Sequence, residues 1–431
     1  MPAPGAGAAR YALGMLTIAY GLNFVDRQIL VILQESIKAD MGLADWQLGL
    51  LSGFAFAAIY VTAGIPIAWW ADRGNRRNVI ALAVAVWSGL TALSGLAQSY
   101  PQLLLARVGV GLGEAGGSPP AHAMISDSYP PARRATALAI YSAGLHGGIF
   151  AGFVLGGVID EYFGWRAAFL VVGLPGVLFA LLFRLTVEEP PRGRFESAQA
   201  AAYRPGLRET LALLSGFRCF WWIAAGAGLT SFVGYGVGNF VPSFLVRSHG
   251  LGGSELGLVM AFGGGGAGLV GTLLSGRIAD HLGVRDRRWY LWVPALAGLA
   301  ALPISLPFLL LDDTRIVLMA MVLATVLINT YLGPGIAIVH GLVPPAMRAL
   351  SSAVFFFVLN LIGLGLGPLT AGLLSDRFTA SHGEDGLRYA LLVVSAIGSL
   401  GVLCFVQAAR QLPRDLETSE RVLASAGAGP A

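Results

Sequence analysis

The chain has 431 residues, 55% of them hydrophobic and only 12% charged, with a mean hydropathy of +0.70. That charged share is about half that of a soluble domain, which marks an integral membrane protein. A net charge of +4 would point to nucleic acid in a soluble chain, but here the arginines gather in short loops, as membrane topology requires, so no nucleic-acid partner is expected.

Apolar segments fall at about 11–34, 47–71, 78–98, 102–125, 135–159 and 166–185, then at about 217–245, 254–279, 289–311, 314–341, 349–374 and 387–408. Twelve spans of roughly 20 residues leave no room for a soluble catalytic domain, so the chemistry must lie within the membrane. The fold class expected is an all-α membrane protein of twelve transmembrane helices in two six-helix halves. Its domains are 1–185, a polar linker 186–216, 217–411 and a tail 412–431. Residues Met1–Arg10 carry no separate apolar region, so no cleaved signal peptide is expected and the first span acts as the insertion signal.

The first span contains Tyr20-Gly21-Leu22-Asn23-Phe24-Val25-Asp26-Arg27-Gln28. A charge near the bilayer centre costs at least ~2.5 kcal/mol on the gentlest insertion scales, so an acid beside a base there serves either an ion pair between helices or a transport path. In the fourth span Arg107 and Glu114 stand seven residues apart, two helical turns, and share one face. Asp26 falls between their levels. A movable arginine beside buried carboxylates can switch them between proton-bound and proton-free forms, so Asp26 and Glu114 are the expected proton-coupling residues. Arg27 and Arg107 are the expected anion ligands. His122 and His146 are further relay candidates, though a polar helix contact is the preferred reading of each.

Loop charges follow the spans. Asp72, Arg73, Arg76 and Arg77, with Asp127 at the end of the fourth span, are expected to form a gating network, with Asp280 in the matching loop of the second half. Positive-inside topology explains part of the same arginine count. About twenty of the 28 basic residues lie on the side of the N-terminus, which places both termini in the cytoplasm.

The halves repeat. Pro130-Pro131-Ala132-Arg133-Arg134-Ala135 returns as Pro344-Pro345-Ala346-Met347-Arg348-Ala349 and Asn23-Phe24-Val25 as Asn239-Phe240-Val241, at offsets of about 215 residues, and Gly164-Trp165-Arg166 returns as Gly386-Leu387-Arg388 at a slightly longer one. An offset of an even number of spans makes the repeats parallel, the architecture of rocker-type transporters. At that offset Asp26, Arg107 and Glu114 correspond to Pro242, Met321 and Ile328. One wall of the cavity is then charged. The other offers neutral groups, of which Tyr235, Asn239, Asn329 and Asn360, with Asn23 from the first span, are the expected substrate contacts; each can instead bond its own helix backbone.

Ala68-Trp69-Trp70-Ala71-Asp72-Arg73-Gly74-Asn75-Arg76-Arg77 resembles the signature loop of the major facilitator superfamily. Gly276-Arg277-Ile278-Ala279-Asp280-His281-Leu282-Gly283, followed by Arg285 to Arg288, resembles its second copy. Ala68 and Asn75 stand where glycine is usual. Asn23-Phe24-Val25-Asp26-Arg27 and Arg107-Val108-Gly109-Val110-Gly111-Leu112-Gly113-Glu114-Ala115 add a resemblance to the spinster family of lysolipid and sphingolipid-phosphate transporters, chiefly over the first 130 residues. A branch of organic-anion symporters has a similar acid-base pair in its first helix. The resemblance implies a proton-coupled secondary transporter in the bacterial inner membrane, acting as a monomer without cofactor or metal. It would carry an amphipathic anionic lipid or, alternatively, a small organic anion. No nucleophile-base pair, zinc spacing or Walker loop supports an enzyme, and no appended domain supports a sensor.

Overall fold

A computed structural model describes residues 6–192, 195 and 206–427. It is all-helical, with no strand among the described residues. Nine helical runs among them are long and apolar enough to cross a membrane. Two of these, Thr136–Thr186 and Arg348–Arg421, are long enough for two spans each. The fourth span is a further one, broken into Tyr100–Glu114 and Ser118–Ser128. The count is therefore twelve, as the sequence predicts.

The repeat is visible in the irregularities of the helices as well as in the motifs. The first span ends in a short helix, Gln34–Met41, capped by Gly42 at φ 65°; the seventh ends in Val241–His249, capped by Gly250 at φ 65°. Both glycines take the left-handed conformation that terminates helices and that other residues resist. The fourth span breaks at Ala115–Gly117 and the tenth at Asn329–Tyr331. Wide turns interrupt the second span at Leu50–Phe54 and the eighth at Ala261–Gly266. The turn between the fifth and sixth spans is made by Gly164, at φ 80° and ψ 164°.

The described residues form two compact units. The first comprises those of Met1–Ser197, Asn239–Gly266 and Gly372–Leu387; the second, those of Ala198–Gly238, Ala267–Ala371 and Arg388–Ala431.

In the first unit the fifth span packs on the first through Gly144, Gly148, Gly152 and Gly156, one residue per helical turn along a single face. A methyl group at Gly144 would strike the Thr17 carbonyl, and one at Gly148 the Gly21 carbonyl. Small residues let membrane helices approach backbone to backbone, and that approach sets where Asp26 sits. The second unit has an apolar core built from Phe217, Phe220, Ile223, Leu291, Val339, Phe355 and Phe405. Within it, Asp415 of the final helix, Leu400–Gly427, accepts the Cys219 backbone N–H at 2.6 Å.

Candidate functional site

The charged residues of the first and fourth spans meet inside the first unit. Asp26, Arg107 and Glu114 are each no more than 2% exposed. Arg27 donates from Nε to Glu114 Oε2 at 2.7 Å. Its guanidinium lies over the rings of Phe56 at 4.7 Å, Phe24 at 5.1 Å and Tyr60 at 5.1 Å. The Arg107 guanidinium approaches the same Phe56 ring at 5.8 Å. Phe56 thus serves both cations through its negative face.

Asp26 lies within electrostatic reach of Glu114 and Arg107, and Asn23 stands beside the Glu114 carboxylate. The structure therefore brings together five residues singled out in the sequence: Asn23, Asp26, Arg27, Arg107 and Glu114. Small residues let the helices close around them. A Cβ at Gly111 would lie 2.9 Å from the Phe56 carbonyl, and one at Gly113 would lie 2.8 Å from the Trp87 backbone N.

Hydrogen bonding in this cluster is incomplete. Arg107 Nε and Nη1, Asp26 Oδ2 and Glu114 Oε1 are all buried and have no hydrogen-bond partner in the structure. Buried polar atoms are normally paired, and charged ones left unpaired carry a desolvation cost of roughly 1–3 kcal/mol or more. Two donors and two acceptors confined to one buried cluster make a site able to bind a proton, water or an anion.

The other predicted ligands are dispersed. Asn239 belongs to the first unit, where its amide donates to the Ser52 carbonyl at 3.5 Å. In the second unit Asn329 donates to Thr325 O at 2.8 Å, bonding its own helix. Tyr235 lies beside Tyr331, and Asn360 begins the wide helical turn Asn360–Leu366. His122 sets its ring edge-on to Tyr141 at 5.2 Å, and Tyr141 stacks on Tyr20 at 4.5 Å.

The loop charges form a network that differs from the expected one. Arg76 bonds Asp127 at 2.6 Å and Glu189 at 2.9 Å. The other oxygen of Glu189 accepts the Arg77 backbone N–H at 2.8 Å. Glu189 is thus a missed member, lying in a stretch that reads as linker; a carboxylate just past the sixth span was the available signal. Among the described residues Arg73 turns instead to Trp69. Its guanidinium lies over the Trp69 ring at 4.0 Å. Asp280, in the second unit, accepts from the Tyr290 hydroxyl at 2.7 Å. The Asp72 side chain lies outside the described residues.

A family model described as Major Facilitator Superfamily matches residues 16–368. The chain is 34% identical over 416 residues to a protein named MFS-type efflux pump from Mycolicibacterium smegmatis, with 94% of each chain covered. It is 27% identical over 384 residues to the cis,cis-muconate transport protein of Acinetobacter baylyi, covering 87% of this chain and 88% of that one. Among solved structures it superposes, with TM-score 0.88 and 31% identity, on a bacterial homologue of the human lysosomal transporter Spinster in an inward-facing, unoccupied conformation. That match covers 96% of this chain and 99% of the other.

Proposed function

The chain belongs to the Major Facilitator Superfamily as a spinster-like membrane transporter, and on that premise we propose that it couples protons to the movement of an amphipathic anion such as a lysolipid or sphingoid phosphate. The observation that carries the reading is the buried cluster with its four unpaired charged atoms. Asp26 and Glu114 carry the proton. Arg107, whose Nε and Nη1 have no partner, takes the anionic head of the substrate. Arg27, already held by Glu114, moves between carboxylate and substrate as the proton comes and goes. The proton-carrying groups are confined to the first repeat, since the counterpart positions, Pro242, Met321 and Ile328, do not titrate.

Charged positions confined to the first repeat, with Pro242, Met321 and Ile328 at the matching places of the second, suit a ligand with one anionic end and one chain. The two six-helix halves, 1–185 and 217–411, act as the rocking bodies of alternating access. The protein works as a monomer in the bacterial inner membrane, with both termini cytoplasmic. The network around Arg76, Arg77 and Asp127, with Glu189, serves as the cytoplasmic gate.

A second reading, transport of a small organic anion, is favoured by the similarity to the muconate protein. Ligand-induced thermal stabilisation of the purified protein separates the two, since a ligand that binds only the folded state raises its stability by mass action. Lysolipids and sphingoid phosphates are expected to raise Tm in the native chain and not in Arg107→Ala. Stabilisation by short dicarboxylates alone would overturn the lipid reading and leave the proton site standing.

A further inference from the structure

Two places on the face away from the termini share one construction. On the fifth span, Glu161 accepts the Ser254 backbone N–H at 2.7 Å, at the start of the eighth span. On the eleventh span, Asp376 accepts the backbone N–H groups of Asp45 at 2.9 Å and Trp46 at 2.8 Å, at the start of the second. All of these residues belong to the first compact unit.

In each case a carboxylate closing one helix caps the N-terminus of a helix from the other half of the sequence. The first N–H groups of a helix have no partner within it and carry positive partial charge, so a carboxylate is a strong cap. Neither receiving helix supplies a side-chain cap of its own: the residues at its cap position are Ala44 and Gly252.

The correspondence extends to the backbone. One turn before each carboxylate is a glycine in close contact with the helix being capped. A Cβ at Gly157 would lie 2.5 Å from the Gly253 carbonyl, and one at Gly372 would strike the Asp45 carbonyl. Gly157 and Glu161 match Gly372 and Asp376 at the same offset of about 215 residues as the sequence repeat. The positions just before the carboxylates differ: Asp160 accepts from Ser36 of its own half, whereas Ser375 donates to Asp45 Oδ2 of the capped helix at 2.6 Å.

We propose that Gly157-Glu161 and Gly372-Asp376 are a repeat-related pair of latches, each seating a carboxylate on the open N-terminus of a helix from the other half, and that together they hold this face closed. The proposal rests on the alternating-access reading, because a latch matters only if the face also opens. Glycine brings the backbones close enough for a short side chain to reach the N–H groups. The carboxylate supplies an attraction that is lost as soon as the helices part by a few ångström. Two latches at symmetric positions must release together for the face to open.

The test needs neither substrate nor gradient, so its failure is distinguishable from failure of the transport reading. Ser243, wholly buried in the same unit, is replaced by cysteine in a Cys219→Ala, Cys404→Ala background. The purified protein in lipid nanodiscs is then labelled with a water-soluble maleimide. Glu161→Ala and Asp376→Ala are each expected to raise the labelling rate about fivefold, by shifting the population toward the open face. Glu384→Ala, an exposed acid on the same face, is expected to leave it unchanged. Gel filtration confirms that each variant is folded. Unchanged labelling in both folded latch variants, or a rise in only one, would overturn the paired latch.

Discussion

Arg107, buried, and Arg247, half-buried, each lie among two carboxylates, yet they are handled in opposite ways. Arg247 bonds Glu35 at 3.0 and 2.6 Å and Asp45 at 2.7 Å twice, while Asp45 also takes Lys38 at 2.6 Å and Ser375 at 2.6 Å. Arg107 keeps Nε and Nη1 without a partner beside two carboxylates that each have an unpaired oxygen. A saturated arginine has nothing left to bind and holds structure. An unsaturated one retains capacity for a ligand, and its burial makes that capacity strong.

Substitutions can break the contrast. The largest effect is expected for Asp26→Asn, which keeps the shape and removes the titration. Gradient-driven flux in proteoliposomes should fall to background, while downhill exchange of substrate persists. Retained gradient dependence would remove Asp26 from coupling. Next comes Arg107→Lys, which keeps the charge and loses the planar fork. A loss of affinity of about tenfold to a hundredfold is expected, read as a rise in the substrate concentration needed for half-maximal stabilisation.

Arg247→Ala should act on stability instead of affinity. It leaves Glu35 and Asp45 without their cation, and removing one partner of a buried pair costs about 3–5 kcal/mol. Because Arg247 is partly exposed, the lower end of that range is expected in chemical denaturation, with substrate affinity unchanged. The smallest effect is expected for Arg166→Ala. Its pair with Asp40, at 2.7 Å with both side chains over 40% exposed, is screened by solvent, and a loss below about 1 kcal/mol should be measured.

The difference between the two arginines was only partly legible in the sequence. Arg107 stood out because an apolar span makes any charge conspicuous, and its two-turn spacing from Glu114 put both on one face. Arg247 reads as an ordinary residue near a span end, since its partners lie some two hundred positions earlier and only tertiary packing brings them close. The same limit hid Glu161 and Asp376: a carboxylate at a helix end carries no mark of whose N-terminus it will cap. Asn329 shows the reverse. Its mid-membrane position suggested a ligand contact, but its amide bonds the carbonyl one turn back. The glycines at 144, 148, 152 and 156 are written at helical spacing, so a close helix pair was readable, although the identity of its partner, the first span, was not.

That glycine face has a mechanical consequence. Where two helices touch through their main chains, no flexible side chains lie between them to absorb a displacement, so the first and fifth spans move as one stiff spar. Asp26 rides on one member and Glu161 closes the other. If Asp26 carries the proton and Glu161 forms the latch, as proposed, a tilt that pulls Glu161 off its seat also moves Asp26, and a change of charge at Asp26 that shifts its helix is felt at the rim. On that proposal, the coupling of chemistry to gating needs no relay of side chains along the membrane. It is built into the contact of two backbones.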